Sequence, residues 1–278
     1  MIKTYYLKYI LIVFLFICFK ANSKQLDTLI FNNDFEKKTF LEYINTNKVD
    51  PLSILISINY TNRSELVIVK MNDFYKTLED NGIRNLSKKK QIKEIYKKVH
   101  ATFFQKYSEE VAFSDIFSNG NYNCVTGSAL YALVLQHFNI EFLIKKTPVH
   151  VYLIADPQGD QVAIEATASI KGLIVYDERF KKNYVDYLKE NKLISENEYK
   201  TNSIDELFEK NYSKAVTIDL IQLTALQYYN KGIFQFNLPD YKESLKSLEK
   251  AELLFSDNSI KFMKNNALVN ILSEQNNT

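Results

Sequence analysis

Tryptophan is absent from these 278 residues, and cysteine, histidine, proline and glycine are scarce, at two, three, four and six. Each shortage excludes something. Two cysteines, Cys18 and Cys124, cannot build a disulfide-dense scaffold. One Cys with scattered His does not supply the three or four ligands of a zinc site. So few Pro and Gly leave no flexible linker between domains. The sequence has no phosphate loop, no GxGxxG and no GxSxG, so no cofactor is expected. Arginine is confined to Arg63, Arg84 and Arg179, which removes the planar fork favoured for phosphate and guanine. The net charge is +2, with 46% hydrophobic and 24% charged residues, the composition of a folded chain rather than a disordered one.

The first 23 residues read as a secretory leader. Two lysines precede Tyr9–Phe19, an eleven-residue apolar run. That is a signal-peptide length, against about 20 residues for a spanning helix. Ala21 and Ser23 provide small residues at −3 and −1, which places cleavage after Ser23. The alternatives are an uncleaved anchor and a lipoprotein anchored at Cys18, where the bulky Ile17 precedes the Cys. The leader carries three lysines and no acid, so the mature 24–278 chain has a formal charge of −1. A near-neutral body argues against a nucleic-acid partner. Without Cys18, Cys124 is left unpaired in an oxidising compartment, periplasmic or extracellular, where a thiol is either buried or used.

Residues 24–85 form an N-terminal segment of uncertain role. It has a short helix around Phe35–Asn45, then Ser53–Asn59 and Glu65–Met71, both read as strands from their Ile and Val content. The first of these reads equally as a buried helix. Leu86–Tyr107 has helical periodicity at Ile92, Ile95, Tyr96, Val99, Phe103 and Phe104. A polar loop, Ser118–Asn123, leads to Cys124 and an apolar helix over Val125–Phe138. Gly127, Ser128, Ala129 and Ala132 permit close packing, which makes this the central buried helix. Glu141–Lys146, Val151–Ala155 and Gln161–Ala166 are strands, with Ile170–Val175 a candidate fourth. From Lys181 the chain is helical again, with Asn197–Asn211 as the inter-domain boundary.

The chemistry converges on Cys124, His150 and Glu165. A Cys at the first turn of a helix meets unsatisfied N–H groups and the positive end of the dipole, which favour a thiolate. Asp156-Pro157-Gln158-Gly159 is a turn sequence. As a four-residue loop it pairs Ala155 with Asp160 and sets His150 directly opposite Glu165. The acid then orients one imidazole nitrogen while the other faces Cys124, the nucleophile–base–orienter arrangement. His137 sits 13 residues along the same helix, roughly 20 Å from Cys124. It and His100 read as structural. On composition alone Cys124 is an inert thiol on an apolar helix; the helix start, the histidine and the acid favour a catalytic-type site.

Asn123-Cys124-Val125-Thr126-Gly127-Ser128-Ala129-Leu130-Tyr131 and Pro148-Val149-His150-Val151 resemble the transglutaminase-like superfamily of papain-like cysteine proteases, acyltransferases and amidases. The resemblance spans roughly Leu86–Thr167. It implies an α+β fold with a papain-like core, a Cys-bearing central helix on an antiparallel sheet, over residues 86–196. The acid here is Glu165, in Ile164-Glu165-Ala166-Thr167, where the family usually has Asp. With no Trp, oxyanion support would come from Asn123, Asn121 or backbone N–H groups. The short Cys-to-His spacing is similar to a bacterial branch in which such domains are joined to tetratricopeptide repeats.

Residues Ala225–Asn258 span one such 34-residue period within a helical 197–278 region. Gly232, Tyr241, Ser244 and Ala251 fall where the two helices of a repeat touch, with Pro239-Asp240 at the turn. Ile260–Leu272 reads as a further helix covering the exposed edge. Two functions follow as expectations. One is an exported, thiol-dependent acyltransferase or peptidase acting on a peptide or protein. The other is an inactive scaffold whose C-terminal helices bind a protein partner at the cell envelope.

Overall fold

A computed structural model describes residues 29–60, 62–168, 172–212 and 215–276. The expected leader, with its cleavage site and Cys18, lies outside the described residues. The chain is α+β: a five-stranded antiparallel sheet is packed between helices. Among the described residues no helix is long and apolar enough to cross a membrane.

Helices α1 (Asp34–Thr46), α2 (Pro51–Ser57) and α3 (Asn62–Asp80) open the fold. Helix α3 corrects the strand read from Glu65–Met71, and α2 decides Ser53–Asn59, open between strand and buried helix, in favour of the helix. Asp50 caps α2 by accepting from the Leu52 and Ser53 amides, and Pro51 sits at the first turn, where its missing N–H costs nothing. In α3 the buried stripe Val67, Met71, Phe74 and Leu78 keeps helical spacing, while Leu66, Ile68 and Val69 are exposed. β-Branched content misread Glu65–Met71, because tertiary burial outweighs propensity.

Helix α4 (Lys88–Phe103) follows, shorter than the periodicity implied. The chain beyond it enters a two-residue strand, β1 (Lys106–Tyr107), which pairs in parallel with β2 (Asn121–Tyr122). A short helix, α5 (Asp115–Ser118), lies between them. Helix α6 (Cys124–His137) is buried from Val125 to Leu135 and forms the centre of the core. Strands β3 (Phe142–Lys146), β4 (Val151–Ala155), β5 (Val162–Ile164) and β6 (Leu173–Val175) form a meander. The sheet order is β6-β5-β4-β3-β7, with β7 (Val216–Ile218) added to the far edge. β7 escaped the sequence reading because it has three residues, two of them exposed.

The two faces of the sheet alternate with the period of two expected of strands. Val151, Leu153, Ala155, Val162 and Ile164 join α6 in the main core. Ala163, Ile154 and Ile174 pack instead under α7 (Glu178–Glu190), α8 (Glu196–Thr201) and α9 (Ile204–Tyr212). The polar stretch 197–211, read from composition as a boundary, is therefore two helices whose Leu207 and Phe208 are buried in this second cluster.

Helices α10 (Leu220–Asn237), α11 (Tyr241–Leu254) and α12 (Asn258–Asn276) complete the chain. Gly232 lets α10 and α11 touch: an added Cβ would lie 2.6 Å from Leu248 Cγ. Ser244 Oγ donates to the Gly232 carbonyl at 2.8 Å, and Ala251 is fully buried. The main core runs from Leu55 to Leu226, so α2, α3 and α10 share it with α6. A buried ion pair fastens α1 to the hairpin. Lys250 Nζ lies 2.9 Å from Glu36 Oε2, with side chains 2% and 0% exposed. Tyr228 donates to Glu36 Oε1 at 2.9 Å.

Candidate functional site

Cys124 is placed by the cap of its helix. Asn123 is the N-cap of α6, and its Oδ1 accepts from the Thr126 amide at 2.9 Å while Thr126 Oγ1 accepts from the Asn123 amide at 3.0 Å. This reciprocal box fixes the entry of the chain into the helix. Asn123 Nδ2 donates to the Glu109 carbonyl at 3.1 Å, tying the cap to the segment after β1. The cap and the Glu109 contact engage Oδ1 and one of the two Nδ2 hydrogens of Asn123. Asn121 lies in β2, opposite Lys106. The first-turn amides of Cys124 and Val125 are the donors that the cap leaves.

Residues one turn along the helix set its height over the sheet. Ser128 Oγ donates to the Val151 carbonyl at 3.3 Å, next to His150. An added Cβ at Gly127 would lie 2.8 Å from Ala166 Cβ, so only glycine allows this approach to the residue after Glu165. Cys124, Gly127 and Ser128 share one helical face. Two contacts on that face flank Cys124 with the segments carrying His150 and Glu165.

His150 is the last residue of the β3–β4 connection, since Lys146 pairs with Val151. Both the amide and the hydroxyl of Thr147 donate to the His150 carbonyl, at 2.8 and 3.1 Å. Its Nε2 meets Glu165 Oε2 at 2.5 Å. Cys124 lies close enough to the same imidazole to act on its protonation. Hydrogen bonding to Cys124, then to Glu165, pushes the His150 pKa up to about 10 against the downward pull of burial. Glu165 is held in turn, its amide donating to the Gly172 carbonyl at 2.7 Å.

The route to this contact differs from the expected register. Ala155 pairs with Val162 and Leu153 with Ile164, two residues away from the anticipated pairing. The connection runs over 156–161 because Asp156 folds back on it. Asp156 Oδ2 accepts from the Asp160 amide at 3.0 Å, and both Asp156 and Gln161 take positive φ. Extended by that register, His150 would face Thr167, which puts Glu165 on the diagonal. A shift of two keeps both residues on the same face. Diagonal neighbours are about 7–8 Å apart, a gap that a glutamate spans better than an aspartate.

The other histidines lie elsewhere. His137 stacks on Tyr75 at 3.8 Å between ring centroids and meets Glu79 at 3.3 Å. His100 packs between Tyr96 and Phe104, and burial lowers its pKa. Among the described residues no group of three His, Cys, Asp or Glu side chains clusters as metal ligands do.

A cleft of about 250 Å³ opens beside the thiol, lined by Tyr107, Glu109, Asn123, Cys124, Val149, Asn230, Ile233, Phe234 and Asn237. The sequence reading missed its far wall. Asn230, Ile233, Phe234 and Asn237 come from α10, more than a hundred residues from Cys124. Their i, i+3, i+4, i+7 spacing was a signal of a shared face, but nothing local said what that face would meet. No family model, curated protein or solved structure matches the chain.

Proposed function

We propose that this chain is a thiol-dependent acyltransferase or peptidase of the transglutaminase-like type, with Cys124 as nucleophile, His150 as base and acid, and Glu165 as orienter. The observation that carries this is the hydrogen bond from His150 to the Glu165 carboxylate, with Cys124 at a helix start acting on the same imidazole and lining an open cleft. In the reaction, His150, protonated at neutral pH, already holds the proton given up by the thiol as the Cys124 sulfur adds to an amide carbonyl. The C–N bond breaks, His150 returns that proton to the departing amine, and a thioester is left on Cys124. Water or a second amine then attacks the thioester, releasing an acid or a new amide and restoring the thiol. The first-turn amides of Cys124 and Val125, left over by the cap, would serve as donors to the transient oxyanion. Iodoacetamide alkylation of Cys124 across pH tests the pair. The wild type should react fast near neutral pH, and His150→Ala should lose that limb. Equal, slow rates in both would refute it.

A second reading has its own support. Phe262, Val269 and Leu272 of α12 are exposed at 64, 60 and 58%, an apolar edge suited to a protein partner. In that reading the triad is a relic, and the alkylation experiment separates the two.

A further inference from the structure

We infer that α10 is the specificity wall of the site, and that it selects an extended peptide segment carrying a large apolar side chain. This rests on the reading of Cys124 as the nucleophile. The helix face toward the thiol has a simple pattern: amide, two apolar residues, amide, in Asn230, Ile233, Phe234 and Asn237. Ile233 and Phe234 are half-buried and accessible from the cleft. Across from them, Val149 is 91% exposed on the loop that ends in His150. Apolar groups on two sides of a cleft beside a nucleophile form a pocket for an apolar side chain.

The two amides flank that pocket, and neither side chain has a hydrogen-bond partner among the described residues. Seven helical residues rise about 10.5 Å. Three residues of an extended chain cover about the same length. Asn230 and Asn237 can therefore each offer a donor and an acceptor to peptide groups three residues apart, with the side chain between them on Ile233 and Phe234. An amide recognises main chain without regard to its sequence. The apolar pair supplies the selectivity. Glu109, the one charged residue on the lining, disfavours an acidic segment.

The test uses acetylated tripeptide vinyl sulfones whose central residue is Leu or Gly. Cys124 adds across the double bond and His150 supplies the proton to the new carbanion, so the rate of labelling reports docking together with the triad. The wild type should label with the Leu probe roughly tenfold faster than with the Gly probe, as expected for one filled apolar subsite. That ratio should fall toward one in Phe234→Ala. In Asn237→Ala, an exposed position that does not threaten folding, labelling by both peptides should slow. Phe262→Ala, on the far helix, should change neither. A ratio near one in the wild type overturns the inference while fast, His150-dependent iodoacetamide alkylation leaves the catalytic reading standing. A high ratio untouched by Phe234→Ala and Asn237→Ala overturns the assignment of α10. Slow alkylation indifferent to His150 overturns the catalytic reading and this inference with it.

Discussion

Gly127→Ala joins the packing of α6 to the chemistry at its start. The added methyl carbon would lie 2.8 Å from Ala166 Cβ, 3.3 Å from Phe104 Cζ and 3.4 Å from Tyr122 Cδ2. Carbon atoms in favourable contact are about 3.5–4.0 Å apart, so Ala166 must recede by about 1 Å. Overpacking of this kind costs about 1–3 kcal/mol. The better helix propensity of alanine returns up to about 1 kcal/mol. A net loss of about 1 kcal/mol lowers Tm by roughly 2–4 °C in a chain of this size. The functional loss is larger, because Ala166 adjoins Glu165. Moving the acid by about 1 Å stretches its 2.5 Å contact with His150 beyond hydrogen-bond range. Misplacement on that scale costs about a hundredfold in rate. Thermal melting and iodoacetamide alkylation at neutral pH should show a small fall in Tm and a more than tenfold fall in rate. A variant as stable as the wild type with an unchanged rate would refute the close approach of α6 to the Glu165 turn.

Other outcomes follow from the same contacts. Lys250→Met strips the partner from the fully buried Glu36 and should cost about 3–5 kcal/mol, read as a fall in Tm of about 10 °C; the double variant with Glu36→Gln should recover most of it. Glu165→Asp shortens the acid by one methylene across a diagonal pairing, and should slow alkylation as much as Glu165→Ala if reach is what matters. The raised His150 pKa also has a sign for stability. A group pushed up to about 10 stabilises the fold fully below its unfolded value near 6.5 and loses that contribution as pH climbs to about 10. Urea melts should therefore show a larger gap between wild type and His150→Gln at pH 6 than at pH 10.

Much of the site was legible locally, and its misses have physical causes. The polar loop Ser118–Asn123 before an apolar run announced the start of α6, and the small residues along that run announced its burial. Gly232, Ser244 and Ala251 located the touching faces of α10 and α11. The acid partner was found through a register that proved two residues off. That reading counted Asp156–Gly159 as the whole loop, and it could not know that the Asp156 carboxylate would draw in Asp160 and lengthen the turn. The parity of the shift preserved the face, and so preserved the pairing of His150 with Glu165. Helix α2 could not be told from a strand because Ile54, Leu55 and Ile56 are all buried, and a helix covered on several sides has no periodicity to show. The cleft wall on α10 was the hardest to see. It depends on a contact between distant segments that no local pattern encodes.

The proposed chemistry requires Cys124, His150 and Glu165 to act as one unit. The most direct measurement is the imidazole NMR titration of His150, with resonances assigned by the His150→Gln variant. In the wild type His150 should stay protonated to about pH 10, and in Cys124→Ala its midpoint should fall because its first partner is gone. A midpoint near 6.5 that is the same in both proteins would contradict the claim.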